Sequence, residues 1–150
     1  MATVELLFSA LPEHVRTARL VAAAVARRAG VDEAVLDELR LAVGEACSRA
    51  VGLHISHGVT TPVRVVLTED EKKFSIEVGD DAPHAMPAEI TAALGRERPI
   101  PAQDEGGADA EDDMGLAVIS GLVDDVEVTA DETGGLIRMS WPTTSAAVLP

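Results

Sequence analysis

Glu45 and Arg49 stand four positions apart in the run LRLAVGEACSRAV, residues 39–51. On a helix that spacing sets a carboxylate and a guanidinium one turn apart, in the acid-first order that favours an ion pair. If exposed, such a pair contributes about 0.3–0.5 kcal/mol. Facing a ligand, the two groups have different capacities. A carboxylate accepts a proton, whereas a guanidinium carries donors only, so it holds an anion and never a metal. Asp80 ends the β-branched run KFSIEVGD and, taken by itself, is a turn-former. Gly115 taken by itself is a helix start. His54 and His57 lie three apart with no third ligand, and read as polar residues at a helix end. Cys47 is the single cysteine; it excludes an intrachain disulfide and reads as a small buried apolar residue.

The elements that must carry these residues follow from periodicity. TVELLFS (3–9) predicts a strand. Pro12 suits a first helical turn, and Val15, Ala18, Ala22, Val25 and Ala29 line one helical face up to Gly30, a C′ glycine. Asp32 predicts the N-cap of a second helix, with Val31 and Leu36 placed as a hydrophobic staple. Leu36, Leu39, Val43, Ala46 and Ala50 continue its core face to about His54. VRVVLTE (63–69) and KFSIEVGD (73–80) predict a hairpin around Asp70, Glu71 and Lys72. A short helix at about 87–94 follows Pro83 and Pro87. Residues 99–113 have no stable period and read as a mobile acidic loop or lid. Met114 to Val123 predicts a buried helix, then strands 123–131 and 135–141 flank a turn at Gly134 and Gly135. Residues 143–150 read as a frayed tail.

A chain of 150 residues, 47% hydrophobic, is sized for one domain with one core, here residues 1–142. Two Phe, one Trp and no Tyr make that core aliphatic and remove aromatic platforms for stacking bases. A formal charge of −14 disfavours nucleic acid and anionic lipid as partners and attracts a basic protein. No apolar run is long enough for a bilayer-spanning helix, and MATVELLFSALPEH lacks the basic start of a signal peptide. The expected location is the cytoplasm. The order of elements predicts an α+β fold, a two-layer α/β sandwich whose mixed, mostly antiparallel sheet is covered on one face by helices.

The run 39–51 resembles the N-box helix of the bacterial anti-sigma-factor serine kinases, small members of the GHKL (Bergerat-type) ATPase superfamily. IEVGDDAP (76–83) is similar to the G1 box of that family, DDMGLAVI (112–119) to its G2 box, and VDDVEV (123–128) to the strand that follows. The resemblance covers roughly residues 3–142. It implies a Bergerat-type sandwich and a protein that binds a sigma factor. It also implies binding of an anti-sigma antagonist and transfer of phosphate from ATP, with Mg²⁺, to one serine of that antagonist. A homodimer joined at the sheet edge is implied as well. Glu45 falls at the family's general base and Asp80 at its adenine-reading aspartate. Ala82, Gly115 and Leu116 fall at the nucleotide-facing loop positions.

Several positions depart from the family pattern. Arg49 stands where an asparagine helps hold Mg²⁺, Ala82 and Asp113 where glycines lie, and Leu136 where a threonine lies near the adenine. No metal ligand is therefore assigned, and Arg49 is assigned either to an ion pair with Glu45 or to an ATP phosphate. The acidic loop carries Asp104, Glu105, Asp109, Glu111, Asp112 and Asp113, which repel a triphosphate. The sequence thus predicts a regulator that acts by protein–protein binding, with ATP binding and kinase activity weakened or lost. The competing expectation is an active ATP- and Mg²⁺-dependent serine kinase.

Overall fold

Alternation along the inner strands decides the architecture. A computed structural model describes residues 2–83 and 116–143. In it, Phe74, Ile76 and Val78 point into the core while Glu77 lies on the opposite face of the sheet. The strands are β1 (Ala2–Phe8), β2 (Val63–Glu69), β3 (Lys73–Asp80), β4 (Asp125–Asp131) and β5 (Gly134–Pro142). They form one sheet in the order β1-β2-β3-β5-β4, and every neighbouring pair is antiparallel. Among the described residues the sheet is thus wholly antiparallel, not mixed. The helices α1 (Glu13–Ala29) and α2 (Glu33–Ser56) cover one face, joined there by helical residues 116–122.

The α1–α2 turn forms as its residues dictate. Gly30 adopts φ 101°, the left-handed conformation of a C′ glycine, and the Asp32 side chain accepts the Ala34 N–H at 3.0 Å. Val31 and Leu36 are both buried, as a staple requires. The α1 core face departs in one detail from the expected stripe: Ala26 is buried, while Val25 and Ala29 only pack against its margin. On α2 the stripe Leu36, Leu39, Val43, Ala46 and Ala50 is wholly buried against Val65, Leu67, Phe74, Ile76 and Met139. Dispersion and apolar burial in this aliphatic layer are what fix α2 over the sheet centre.

The far face of the sheet is polar. Ser75 and Ser140 hydroxyls lie 3.1 Å apart, and Arg138 bridges Glu77 at 3.6 Å and Glu127 at 3.8 Å. The β4–β5 connection corrects an expectation. The turn lies at residues 132–133, not at the two glycines, which belong to β5. Asp131 Oδ1 accepts from Thr133 N (2.8 Å), Thr133 Oγ1 (2.7 Å) and Gly134 N (3.2 Å), an Asx-type turn that needs no glycine. The helix expected at 87–94, the acidic loop 99–113 and residues 144–150 fall outside the described residues.

Candidate functional site

Strand parity carries Asp80 to the helix-covered side. Residues 74, 76, 78 and 80 share a face, so the alternation that buries Phe74, Ile76 and Val78 also turns Asp80 towards the helical layer. Asp80 is 7% exposed, and its Oδ1 accepts the Ala82 N–H at 2.9 Å. Ala82 itself is fully buried. Across the strand pair, Asp80 faces Gly135.

From the helical layer, α2 contributes Glu45, half-buried, and Arg49, 8% exposed among buried Ala42, Ala46, Ala50 and Leu53. The burial of Arg49 matters. Arginine stays protonated even where it is buried, so this position is occupied by a guanidinium cation. Gly44, beside Glu45, is buried under Arg19 of α1: a Cβ there would come within 2.7 Å of Arg19 Cδ. Leu116 is buried at the start of the described helical residues 116–122, and Gly115 falls just outside them. Cys47 is buried on α2, and burial pushes its thiol up from 9.0 to about 12, which makes it an inert packing residue as expected.

His54 has a role that its sequence reading left open. It is a polar residue in the last turn of α2, as read, but it is fully buried, at 0% exposure. Its Nδ1 lies 3.0 Å from the Thr61 carbonyl oxygen, and its Nε2 accepts the Asp81 N–H at 2.9 Å. Thr61 Oγ1 in turn donates to Asp81 Oδ2 at 2.5 Å. His57, by contrast, is exposed, so the two histidines do not act together. Gly134 closes the corner from the other side: a Cβ there would collide with the Asp80 carbonyl oxygen. Thr61 escaped sequence reasoning, and His54 and Gly134 were read only as a helix-end residue and a turn glycine, because each serves through a contact with a residue distant in the chain.

An antiparallel sheet layered under two long helices, with a buried carboxylate at the end of an inner strand on the helix-covered side, defines the class as a two-layer α+β sandwich. A solved structure described as "Mycobacterial sensor histidine kinase MprB" shares this fold, with a TM-score of 0.55 over 95% of this chain and 98% of that one at 18% identity. The family model described as histidine kinase-like ATPase domain matches residues 8–141, and the chain belongs to that family. It is also similar to "Serine-protein kinase RsbW" of Oceanobacillus iheyensis, 29% identical over 140 residues, covering 91% of this chain and 84% of that protein. The protein of the same name from Halalkalibacterium halodurans is 28% identical over 139 residues, covering 92% and 82%. These likenesses bear out the resemblance carried by the N-box, G1 and G2 runs.

Proposed function

We propose that this protein regulates transcription by protein–protein binding, engaging a sigma factor, an anti-sigma antagonist or both, with magnesium-dependent nucleotide chemistry weakened or lost. The observation that carries this reading is Arg49. It is a buried guanidinium at the position where the resembling kinases have a metal-holding asparagine. It has no acceptor atom for Mg²⁺. The donor set present does not fit the ion. Ala82, buried with its methyl group where the family has a glycine, supports the same conclusion. The fold and the family remain compatible with partner docking, since the packed layers do not depend on an occupied pocket. The acidic chain, at −14, complements a basic partner surface. A cytoplasmic homodimer organised as one domain over 1–142 is part of the same proposal. No helix among the described residues is long and apolar enough to cross a membrane.

A specific feature favours the second reading, an active serine kinase: Glu45 stands half-buried on α2 at the family's general-base position, and the relatives carry the name serine-protein kinase. Calorimetry with ATP and Mg²⁺, paired with capture of partners from cell extract at low salt, separates the two. The regulator reading expects no magnesium-dependent heat and recovery of a sigma factor or an antagonist, identified by mass spectrometry. Magnesium-dependent ATP binding, with phosphate transfer to a captured antagonist that Glu45→Gln abolishes, overturns it in favour of the kinase.

A further inference from the structure

Among the described residues, one side chain three positions beyond the run 39–51 ties α2 to the loop beyond β3. His54 is buried near the C-terminal end of α2, and both of its ring nitrogens are engaged. The Asp81 backbone nitrogen always carries its hydrogen, so Nε2 at 2.9 Å must accept and is unprotonated. The ring proton therefore sits on Nδ1 and is donated to the Thr61 carbonyl oxygen at 3.0 Å. Thr61 returns its hydroxyl hydrogen to Asp81 Oδ2 at 2.5 Å. The three residues thus form a closed ring of hydrogen bonds in which every donor points the same way round: His54 to Thr61, Thr61 to Asp81, Asp81 to His54.

What the ring holds is the peptide that leaves Asp80. Asp81 N belongs to the peptide plane of the Asp80 carbonyl, and that carbonyl oxygen is pressed against Gly134 on the opposite side. One residue further on, Ala82 N–H is bound by Asp80 Oδ1. The Asp80–Asp81 peptide is thus held from α2 and from β5, and the Ala82 N–H it leads into holds Oδ1 of the Asp80 carboxylate.

We propose that His54 is a positioning residue: a neutral, Nδ1-protonated imidazole that sets the direction of the Asp80 carboxylate and mechanically links α2, which carries Glu45 and Arg49, to the Asp80–Ala82 segment. An occupant that displaces either element must strain the other through this ring, so binding at the two is linked. The inference takes from the preceding section only that this corner is the ligand face. It holds whether the occupant is a nucleotide or a protein, and its test uses neither.

Three measurements on the full chain test it. In the wild type, nitrogen-15 spectra of the imidazole are expected to show a neutral Nδ1–H tautomer. An Nε2–H tautomer or a doubly protonated ring at neutral pH overturns the proposal. In His54→Phe, hydrogen exchange at the Asp81 amide is expected to accelerate by about tenfold or more relative to the Ile76 and Ile137 amides of the sheet. An unchanged Asp81 amide, or one accelerated only as much as the sheet, overturns it by assigning His54 to packing alone. His54→Gln offers an acceptor in place of Nε2, and is expected to keep the Asp81 amide more protected than His54→Phe does. Should the Phe variant not fold, Gln is compared with wild type: Asp81 protection within about tenfold of wild type sustains the proposal, and loss to the rate of an open loop overturns it. Failure of any of these leaves the regulator reading intact, because that reading rests on Arg49.

Discussion

The α-carbon of Gly134 lies so close to the carbonyl oxygen of Asp80 that no side chain fits between them. Both partners are backbone, so neither can swing aside. Gly134→Ala is therefore expected to destabilise the fold by about 1–3 kcal/mol, the range for overpacking a closed site. The fluorescence of Trp141, the single tryptophan and a buried residue of β5, reports the shift in urea midpoint.

Gly44 provides the contrast. The atom a new methyl group would meet belongs to Arg19, a long side chain that can re-route, and Ala gains about 1 kcal/mol over Gly within a helix. Gly44→Ala is expected to stay within about 1 kcal/mol of wild type for this reason. A loss as large as that of Gly134→Ala would show that Arg19 is held where it lies.

Asp32→Ala removes the side-chain acceptor for Ala34 N–H at the start of α2. The expected cost is about 1 kcal/mol, read as a lower urea midpoint with unchanged slope. Asp32→Asn keeps an acceptor oxygen and should recover most of it.

Arg49→Asn replaces donors by an acceptor at the buried position one turn beyond Glu45. A magnesium-dependent rise in melting temperature with millimolar ATP is expected in the variant and not in wild type, because a ligand that binds only the native state stabilises it. Equal shifts in the two proteins would remove Arg49 as the reason for weak metal binding.

Cys47 gives a pH signature with a definite sign. Its folded value of about 12 exceeds the ordinary 9.0, so between these limits the unfolded chain releases the thiol proton first. Stability must fall as pH rises above about 9, and below that the site adds no slope. The difference between wild type and Cys47→Ala in urea unfolding across pH 8–11 isolates the effect. In the native protein the thiol should also resist alkylation until the chain unfolds.

Local chemistry made most of the fold legible. The Asp32 cap, the Gly30 terminus, the hairpin at 63–80 and the α2 stripe each follow from residues within a few positions of one another, and the structure reproduces them. Period-two alternation also put the helices on one face of the sheet. The candidate corner was only half legible. Glu45, Arg49 and Asp80 were found because they sit inside contiguous motif runs, and the resemblance supplied their register.

The sequence by itself determined which segments are helix and strand, because capping, glycine conformation and hydrophobic period are short-range properties of the chain. It also determined the guanidinium at position 49, a matter of residue identity alone. Tertiary structure decided what Asp80 meets. Gly134, against its carbonyl oxygen, lies 54 positions away and His54, which binds the next N–H at Asp81, lies 27 from that residue, and only the packing of α2 and β5 onto β3 brings them within contact distance. It decided the protonation of His54 as well: an imidazole near a helix end has two tautomers of similar energy, and the choice follows from a donor on one side and an acceptor on the other.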